Sequence, residues 1–257
     1  MKVYAIVNQK GGVGKTTTAQ NVGAGLALKG KRVLLIDLDP SGNLTTGAGV
    51  KIGDGDPTIY EIIKGKAQLT DAIRAAQSGN YDIVPADNLL SGATVELSGV
   101  PGRELILKEA IESMNVKPAY DYVFIDCPRA LDTLSIMGLT AAQAAIVPVQ
   151  AHYYALDGIA QLTETVELIK KRINPGLKIG GVLITMYDPR KVANREVLEN
   201  VREAFPDAIY KTTIGNYTAL AEAPSRGMDI FAYKPKDKGA EQYAELVKEI
   251  LKREVGK

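Results

Sequence analysis

The chain is short of the residues on which several kinds of chemistry depend. A single cysteine, Cys127, excludes an internal disulfide framework and any CxxC metal or redox pair. A single histidine, His152, argues against a multi-histidine metal site. No apolar run approaches the ~20 residues of a membrane-spanning helix. Met1-Lys2 leads into a short apolar run and then Asn8-Gln9-Lys10, without a signal-peptide cleavage site. An excess of one charge is also missing. Lys and Arg number 31 against 30 Asp and Glu, a net charge of +1, so any nucleic-acid binding must come from local clustering. The expectation is a cytoplasmic protein.

What is present is a globular composition: 46% hydrophobic and 24% charged over 257 residues, which excludes wholesale disorder. Apolar runs at 3–7, 32–36, 81–84, 122–125, 144–148 and 179–184 read as buried strands, with a weaker run at 208–210. Helical patterns lie between them, at about 16–29, 102–115, 154–173, 190–205 and 238–253. Fully apolar strands bracketed by helices imply an α/β fold, a doubly wound, mostly parallel sheet with helices on both faces and right-handed crossovers. No internal repeat, low-complexity segment or long linker divides the chain, so residues 1–257 read as one domain.

A C-terminal amphipathic helix can serve as a membrane foot, and the distribution of residues on the last pattern bears on that role. Ala240, Tyr243, Ala244, Val247 and Leu251 share one face, while Glu241, Glu245, Glu249, Lys248, Lys252 and Arg253 occupy the other. A membrane-surface helix wants a basic polar face and large hydrophobes. Mixed charge with alanine and tyrosine predicts a helix packed on its own domain.

The strongest chemical signal is Asn8-Gln9-Lys10-Gly11-Gly12-Val13-Gly14-Lys15-Thr16-Thr17, which follows the first strand and opens the first helix. Glycines let the backbone curl so that successive N–H groups face phosphates, and the helix N-terminus adds partial positive charge. Lys15 should reach the β- and γ-phosphates, and the Thr16 hydroxyl should ligate Mg²⁺. The literal GxxxxGK[ST] pattern fails, because its first glycine falls at Gln9; the glycines sit instead at 11 and 12, behind a second lysine, Lys10. A second cluster, Asp37-Leu38-Asp39-Pro40-Ser41-Gly42-Asn43, follows the second strand. It reads either as a plain turn or as strand-end carboxylates beside a phosphate loop. The third, Val123-Phe124-Ile125-Asp126-Cys127-Pro128, ends an apolar run in an aspartate suited to Mg²⁺, the Walker B arrangement. Cys127 beside it reads as a small buried residue, since only the distant His152 could activate it.

Together these residues resemble a known family. Lys10 to Thr17 is similar to the deviant Walker A loop of the ParA/MinD ATPases. The segments at 37–43, 126–128, 183–188, 220–225 and 238–241 resemble its ParA/Soj partition branch. The resemblance covers nearly the whole chain and implies a P-loop NTPase fold, ATP and Mg²⁺ as cofactors, and a weak regulatory ATPase. It also implies a homodimer with ATP sandwiched between subunits, with Lys10 reaching the partner's phosphates. Asp39 would position the hydrolytic water, and Thr16, Asp39 and Asp126 would serve the metal. Lys10, Gly11, Gly12, Val13, Gly14, Lys15, Thr16 and Thr17 would cradle the nucleotide, and Met186, Gly215 and Tyr217 would line the adenine pocket. A ParB-like protein would stimulate hydrolysis. Non-specific double-stranded DNA would be bound through Arg190, Lys191, Arg195, Lys234, Lys236 and Lys238, giving nucleoid association. No membrane partner and no extra N-terminal DNA-reading domain are expected.

The departures from the family pattern matter as much. Where the family reads DLDPQGN, Ser41 replaces glutamine, and where it reads CPPSLG this chain has Cys127-Pro128-Arg129-Ala130-Leu131-Asp132. The IPRNVRL stretch corresponds to 214–220 and loses both arginines, at Asn216 and Ala219. From 186 to 238 there are nine Lys and Arg against eight Asp and Glu, so DNA binding rests on clustering alone. Alternatives of the same fold are a positioning ATPase acting on a protein cargo or a membrane, and a metabolic ligase. The nitrogenase iron-protein branch needs cluster cysteines that this chain lacks.

Overall fold

Alternation of side chains along each strand decides which layer each residue enters. In β1 (Lys2–Ile6) Val3 and Ala5 join one apolar core, while Tyr4 and Ile6 join the other. The same alternation in β2 (Val33–Asp37) sends Leu34 and Ile36 one way and Val33 and Leu35 the other. A sheet covered on both faces follows. The computed structural model describes residues 1–114, 120–152 and 155–255. Its remaining strands are β3 (Arg74–Ala75), β4 (Asp82–Val84), β5 (Tyr122–Asp126), β6 (Ala144–Gln150) and β7 (Lys178–Thr185).

The strands lie in the order β3-β4-β2-β5-β1-β6-β7, all neighbours parallel except the short β3–β4 pair. From β1 the chain runs outward to β2 and β4, returns to insert β5 beside β1, and leaves on the other side through β6 and β7. That reversal makes the carboxyl ends of β1, β2 and β5 one crevice, the place where open α/β sheets bind ligands.

The helices are α1 (Lys15–Ala27), α2 (Asn43–Gly47), α3 (Ile59–Ile63), α4 (Leu90–Glu96), α5 (Ile106–Ser113) and α6 (Thr133–Ala141). They continue with α7 (Ala155–Arg172), α8 (Val192–Ala204), α9 (Thr218–Glu222), α10 (Ile230–Tyr233) and α11 (Lys238–Val255). Ile59, Leu90, Leu107, Met137, Leu162 and Val197 bring α3 to α8 onto one face. On the other, Val22 and Leu26 of α1 pack with Leu44, Ile230, Tyr243 and Leu246. Two glycines let α1 fit there: a Cβ on Gly23 would lie 2.7 Å from Leu35, and one on Gly25 2.8 Å from Val247.

Several expectations need correction. The run at 208–210 forms no ladder; it makes one parallel bridge, Val182 to Ile209. It is cut short because the amides of Lys211 and Thr212 turn to the Glu249 carboxylate at 2.9 and 3.0 Å. Glu249 therefore leaves the solvent face assigned to it. The 102–115 pattern begins as a 3-10 turn over Arg103–Leu105 and is α-helical only from Ile106; position 115 lies outside the described residues, as does position 154, the expected start of α7. α6 was not foreseen, because a helix that is apolar nearly all round carries no amphipathic period. The terminal helix packs on its own domain as expected, burying Ala240, Tyr243, Leu246, Val247 and Ile250. Among the described residues no helix is long and apolar enough to cross a membrane.

Candidate functional site

The loop between β1 and α1 is shaped by backbone only glycine takes easily: Gly12 has φ 72° and Gly14 φ 86°. Gly14 occupies the N-cap of α1 without a side-chain cap, and no acidic residue stands in the first turn. The first amides of the helix are thereby left for an external acceptor, in the positive end of the helix dipole. Two side chains fix the loop from outside. Asn8 Nδ2 donates to the Pro148 carbonyl at 2.7 Å while its Oδ1 accepts from the Lys10 amide at 2.9 Å. Thr185, the last residue of β7, donates its hydroxyl to the Val13 carbonyl at 2.9 Å.

Gly11, Gly12, Gly14, Lys15, Thr16 and Thr17 line one cavity of about 430 Å³, and Asp39, Ser41, Asn43, Arg129 and Met186 complete it. Two residues of the predicted cradle are placed otherwise. Val13 is buried, and Lys10 borders a separate cavity of about 280 Å³ with Asn8, Gln9, Val149 and Gln150. Lys15 is only 8% exposed. Burial pulls its ammonium pKa down, while Asp126 and Asp39 hold it up.

Under the cavity two carboxylates face each other across neighbouring strands, Asp37 of β2 in register with Asp126 of β5. Both are fully buried. Asp37 is satisfied: its Oδ1 accepts from the Asp39 amide at 3.2 Å, and its Oδ2 from the amide and hydroxyl of Thr45 at 2.8 and 2.7 Å. Burial raises it to about 6 in spite of those bonds. Both oxygens of Asp126 lack a hydrogen-bond partner. Burial and then the Asp37 charge push its pKa well above the carboxylate range, opposed by the Thr16 hydroxyl and Lys15. A pair of buried, unpartnered carboxylate oxygens beside a hydroxyl is an oxygen donor set that suits a hard divalent cation. Asp39 is half-buried at the cavity wall, its Oδ1 accepting from the Ser41 amide at 2.9 Å. Cys127 is buried beside Gly138, and burial drives its thiol pKa far up, so it is not a reactive thiolate.

A second, more apolar pocket of about 110 Å³ adjoins the first. Met186, Gly215 and Tyr217 line it together with Ile214 and Leu220, and Gly14, Thr17 and Met186 belong to both spaces. Met186 is the only non-glycine among the described residues with left-handed backbone, φ 52°, a conformation costing about 1–2 kcal/mol. Gln242 accepts from the Gly215 amide at 2.8 Å and so ties this wall to α11.

The basic residues expected to meet DNA are exposed but partly engaged. Arg190 forks onto Asp188, Nε to Oδ1 at 3.0 Å and Nη2 to Oδ2 at 2.9 Å. Arg195 donates to the Pro189 carbonyl at 2.6 Å. Lys234 lies 3.3 Å from Glu222 and over the Tyr233 ring. Lys191, Lys236 and Lys238 are exposed. Sequence reasoning missed the anchoring roles of Asn8, Thr45 and Thr185. Only Asn8 carried a local signal, asparagine's habit of bonding nearby backbone.

A family model described as an AAA domain matches residues 1–179. The sporulation initiation inhibitor protein Soj of Bacillus subtilis is 48% identical over 97% of this chain and 98% of its own length. The chromosome partitioning protein ParA of Caulobacter vibrioides is 42% identical over 99% of this chain and 95% of its own length. Among solved structures, a cobyrinic acid a,c-diamide synthase from Mycobacterium smegmatis with bound ATP analog and magnesium superposes with a TM-score of 0.86. It is 35% identical, covering 100% of this chain and 97% of that one.

Proposed function

The chain belongs to the Soj/ParA family of partition ATPases, and from that premise we propose that it is an ATP-dependent dimerising switch in chromosome or plasmid partition. In this reading it works in the cytoplasm, binds non-specific duplex DNA when ATP-bound, and is stimulated by a ParB-like partner. The observation that carries it is adjacency. A polar cavity walled by Lys15 and the loop glycines adjoins an apolar pocket across Gly14, Thr17 and Met186, the pairing of spaces a nucleoside triphosphate requires.

Lys15 and the first amides of α1 would neutralise the phosphates, and Met186, Gly215 and Tyr217 would hold the base. Thr16 and Asp126 would hold Mg²⁺, with Asp39 near its waters; the ion supplies charge neutralisation across the phosphates. Asp39, at the cavity wall, would orient the attacking water. Lys10 lines a different cavity from its own Lys15, which supports a role on a second subunit's nucleotide. A site completed only by dimerisation acts as a timer. Arg190, Lys191, Arg195, Lys234, Lys236 and Lys238 would form the DNA surface, and a dimer presents each twice.

The test is a salt titration of duplex binding by the protein held in its ATP state with a non-hydrolysable analogue. Affinity should fall steeply with salt, by roughly 0.9 in logarithmic slope per phosphate neutralised. A dimer that ignores DNA even at about 50 mM salt would transfer the reading to a protein cargo. A ligase would release phosphate only with its acceptor present, whereas this switch releases it with ATP and Mg²⁺ alone.

A further inference from the structure

Arg129 is the cation of this site that the family pattern does not account for. It stands two residues beyond the fully buried Cys127 and is itself exposed. Its Cδ and Nη1 lie 3.7 Å from where a Cβ on Gly11 would be, so the side chain runs alongside the phosphate loop. It walls the same cavity as Lys15, Thr16 and Asp39, and its charge acts on the Lys15 ammonium, lowering its pKa. Exposed Arg190 and Lys234 are both held by carboxylates. Among the described residues no hydrogen bond or ion pair holds the Arg129 guanidinium.

The two adjoining spaces give the site a direction. Gly14, Thr17 and Met186 border both, and so mark the end next to the nucleoside. Gly11, Gly12, Asp39 and Arg129 border only the polar cavity, at the end where the last phosphate of a triphosphate would lie. A guanidinium offers a planar fork of donors matched to phosphate oxygens, and it stays charged at every relevant pH.

We propose that Arg129 is a phosphate-binding residue acting within its own subunit, contacting the terminal phosphate of ATP and so setting the preference for ATP over ADP. The proposal rests on the nucleotide-switch reading above. It gives each subunit a second cation for its own γ-phosphate, in addition to Lys15 and independent of any partner's Lys10. ATP would then be held firmly before dimerisation.

The experiment is calorimetric titration of AMPPNP and of ADP, each with Mg²⁺, at protein concentrations where sedimentation shows monomer. Arg129→Ala should weaken AMPPNP binding about tenfold, the scale of one charge-assisted hydrogen bond. ADP affinity and the melting temperature of the nucleotide-free protein should stay unchanged. Equal losses for both nucleotides, or no loss, would overturn the assignment. A loss seen only in the dimer would also overturn it, by making the contact one across the interface. If the wild-type protein bound neither nucleotide, the nucleotide reading itself would fall, a result distinct from a wild type that binds both and a variant that matches it.

Discussion

Asp37 and Asp126 face each other on adjacent strands, equally buried, yet only Asp37 has hydrogen-bond partners. The difference fixes what each can do. Asp37, clamped by Thr45 and the Asp39 amide, sets the shape of the loop that carries Asp39. Asp126 lies beside Thr16 and Lys15, which favour its charge against burial and the Asp37 carboxylate, and a divalent cation would stabilise that charge further.

From this pair comes a pH-dependent prediction with opposite signs for two similar substitutions. Asp126 has a folded-state pKa above its ordinary 3.8. The folded state therefore holds its proton longer than the unfolded one, and stability falls as pH rises from about 4 through that folded pKa. Asp126→Asn removes the cost. The nucleotide-free variant should melt a few degrees above wild type at pH 7.5, with the gap closing toward pH 4. Asp37 pays its smaller cost between its ordinary value and about 6, with no further change above. Asp37→Asn would set an amide N–H against the N–H of Thr45 or Asp39 and should destabilise by about 1–3 kcal/mol. Thermal melts across pH check both; an Asp126→Asn protein that melts lower at pH 7.5 would contradict the orphaned-carboxylate picture.

Lys10→Ala should leave monomer nucleotide affinity nearly unchanged, because Lys10 does not wall the cavity of its own Lys15. ATP-dependent dimers should disappear in sedimentation, whereas Lys15→Ala should lose nucleotide outright. Full dimerisation by Lys10→Ala would remove the case for a sandwich.

Asp39→Ala should bind ATP, dimerise and stall, with single-turnover hydrolysis slower by about 10². Since Asp39 also accepts the Ser41 amide, Asp39→Asn, which keeps an acceptor oxygen, separates loop shape from water positioning. Hydrolysis at the wild-type rate in both variants would remove Asp39 from the water-positioning role.

The parts of this site that could be read from sequence are those whose chemistry is local. Gly11 to Thr17 announces its backbone in consecutive residues, and Asp126 follows four apolar residues that could only be a buried strand. What escaped depends on distance along the chain or on direction in space. Thr45 completes Asp37 from eight residues downstream, and Thr185 pins Val13 from 172 residues away. Arg129 registered only as a departure from a pattern, since nothing local says that its side chain runs back along Gly11. α6 was invisible for the opposite reason, its apolar residues being too many to show a face. The basic cluster near Arg190 was legible as charge, but not as charge already engaged.

That engagement yields the sharpest test of the DNA surface. Arg190 makes a two-pronged pair with Asp188, and its hydrogen bonds hold the Asp188 carboxylate down at about 2. The pair thus persists throughout the physiological range, and acidification to about pH 5 would not free the arginine. Substitution would. Asp188→Asn keeps an oxygen for the Arg190 amide but removes the charge that competes with a DNA phosphate. If Arg190 meets DNA, the ATP-bound Asp188→Asn protein should bind duplex several-fold more tightly at low salt. Its salt dependence should steepen by about 0.9 per added phosphate contact, hence about 1.8 for a dimer. Arg190→Ala should show the reverse, a shallower slope and weaker binding on every sequence, as expected of a phosphate rather than a base contact. Fluorescence anisotropy of a random-sequence duplex over 50–200 mM salt measures all three proteins on one scale. Identical slopes for wild type, Asp188→Asn and Arg190→Ala would take Arg190 off the DNA surface and leave Lys191, Lys236 and Lys238 to carry it.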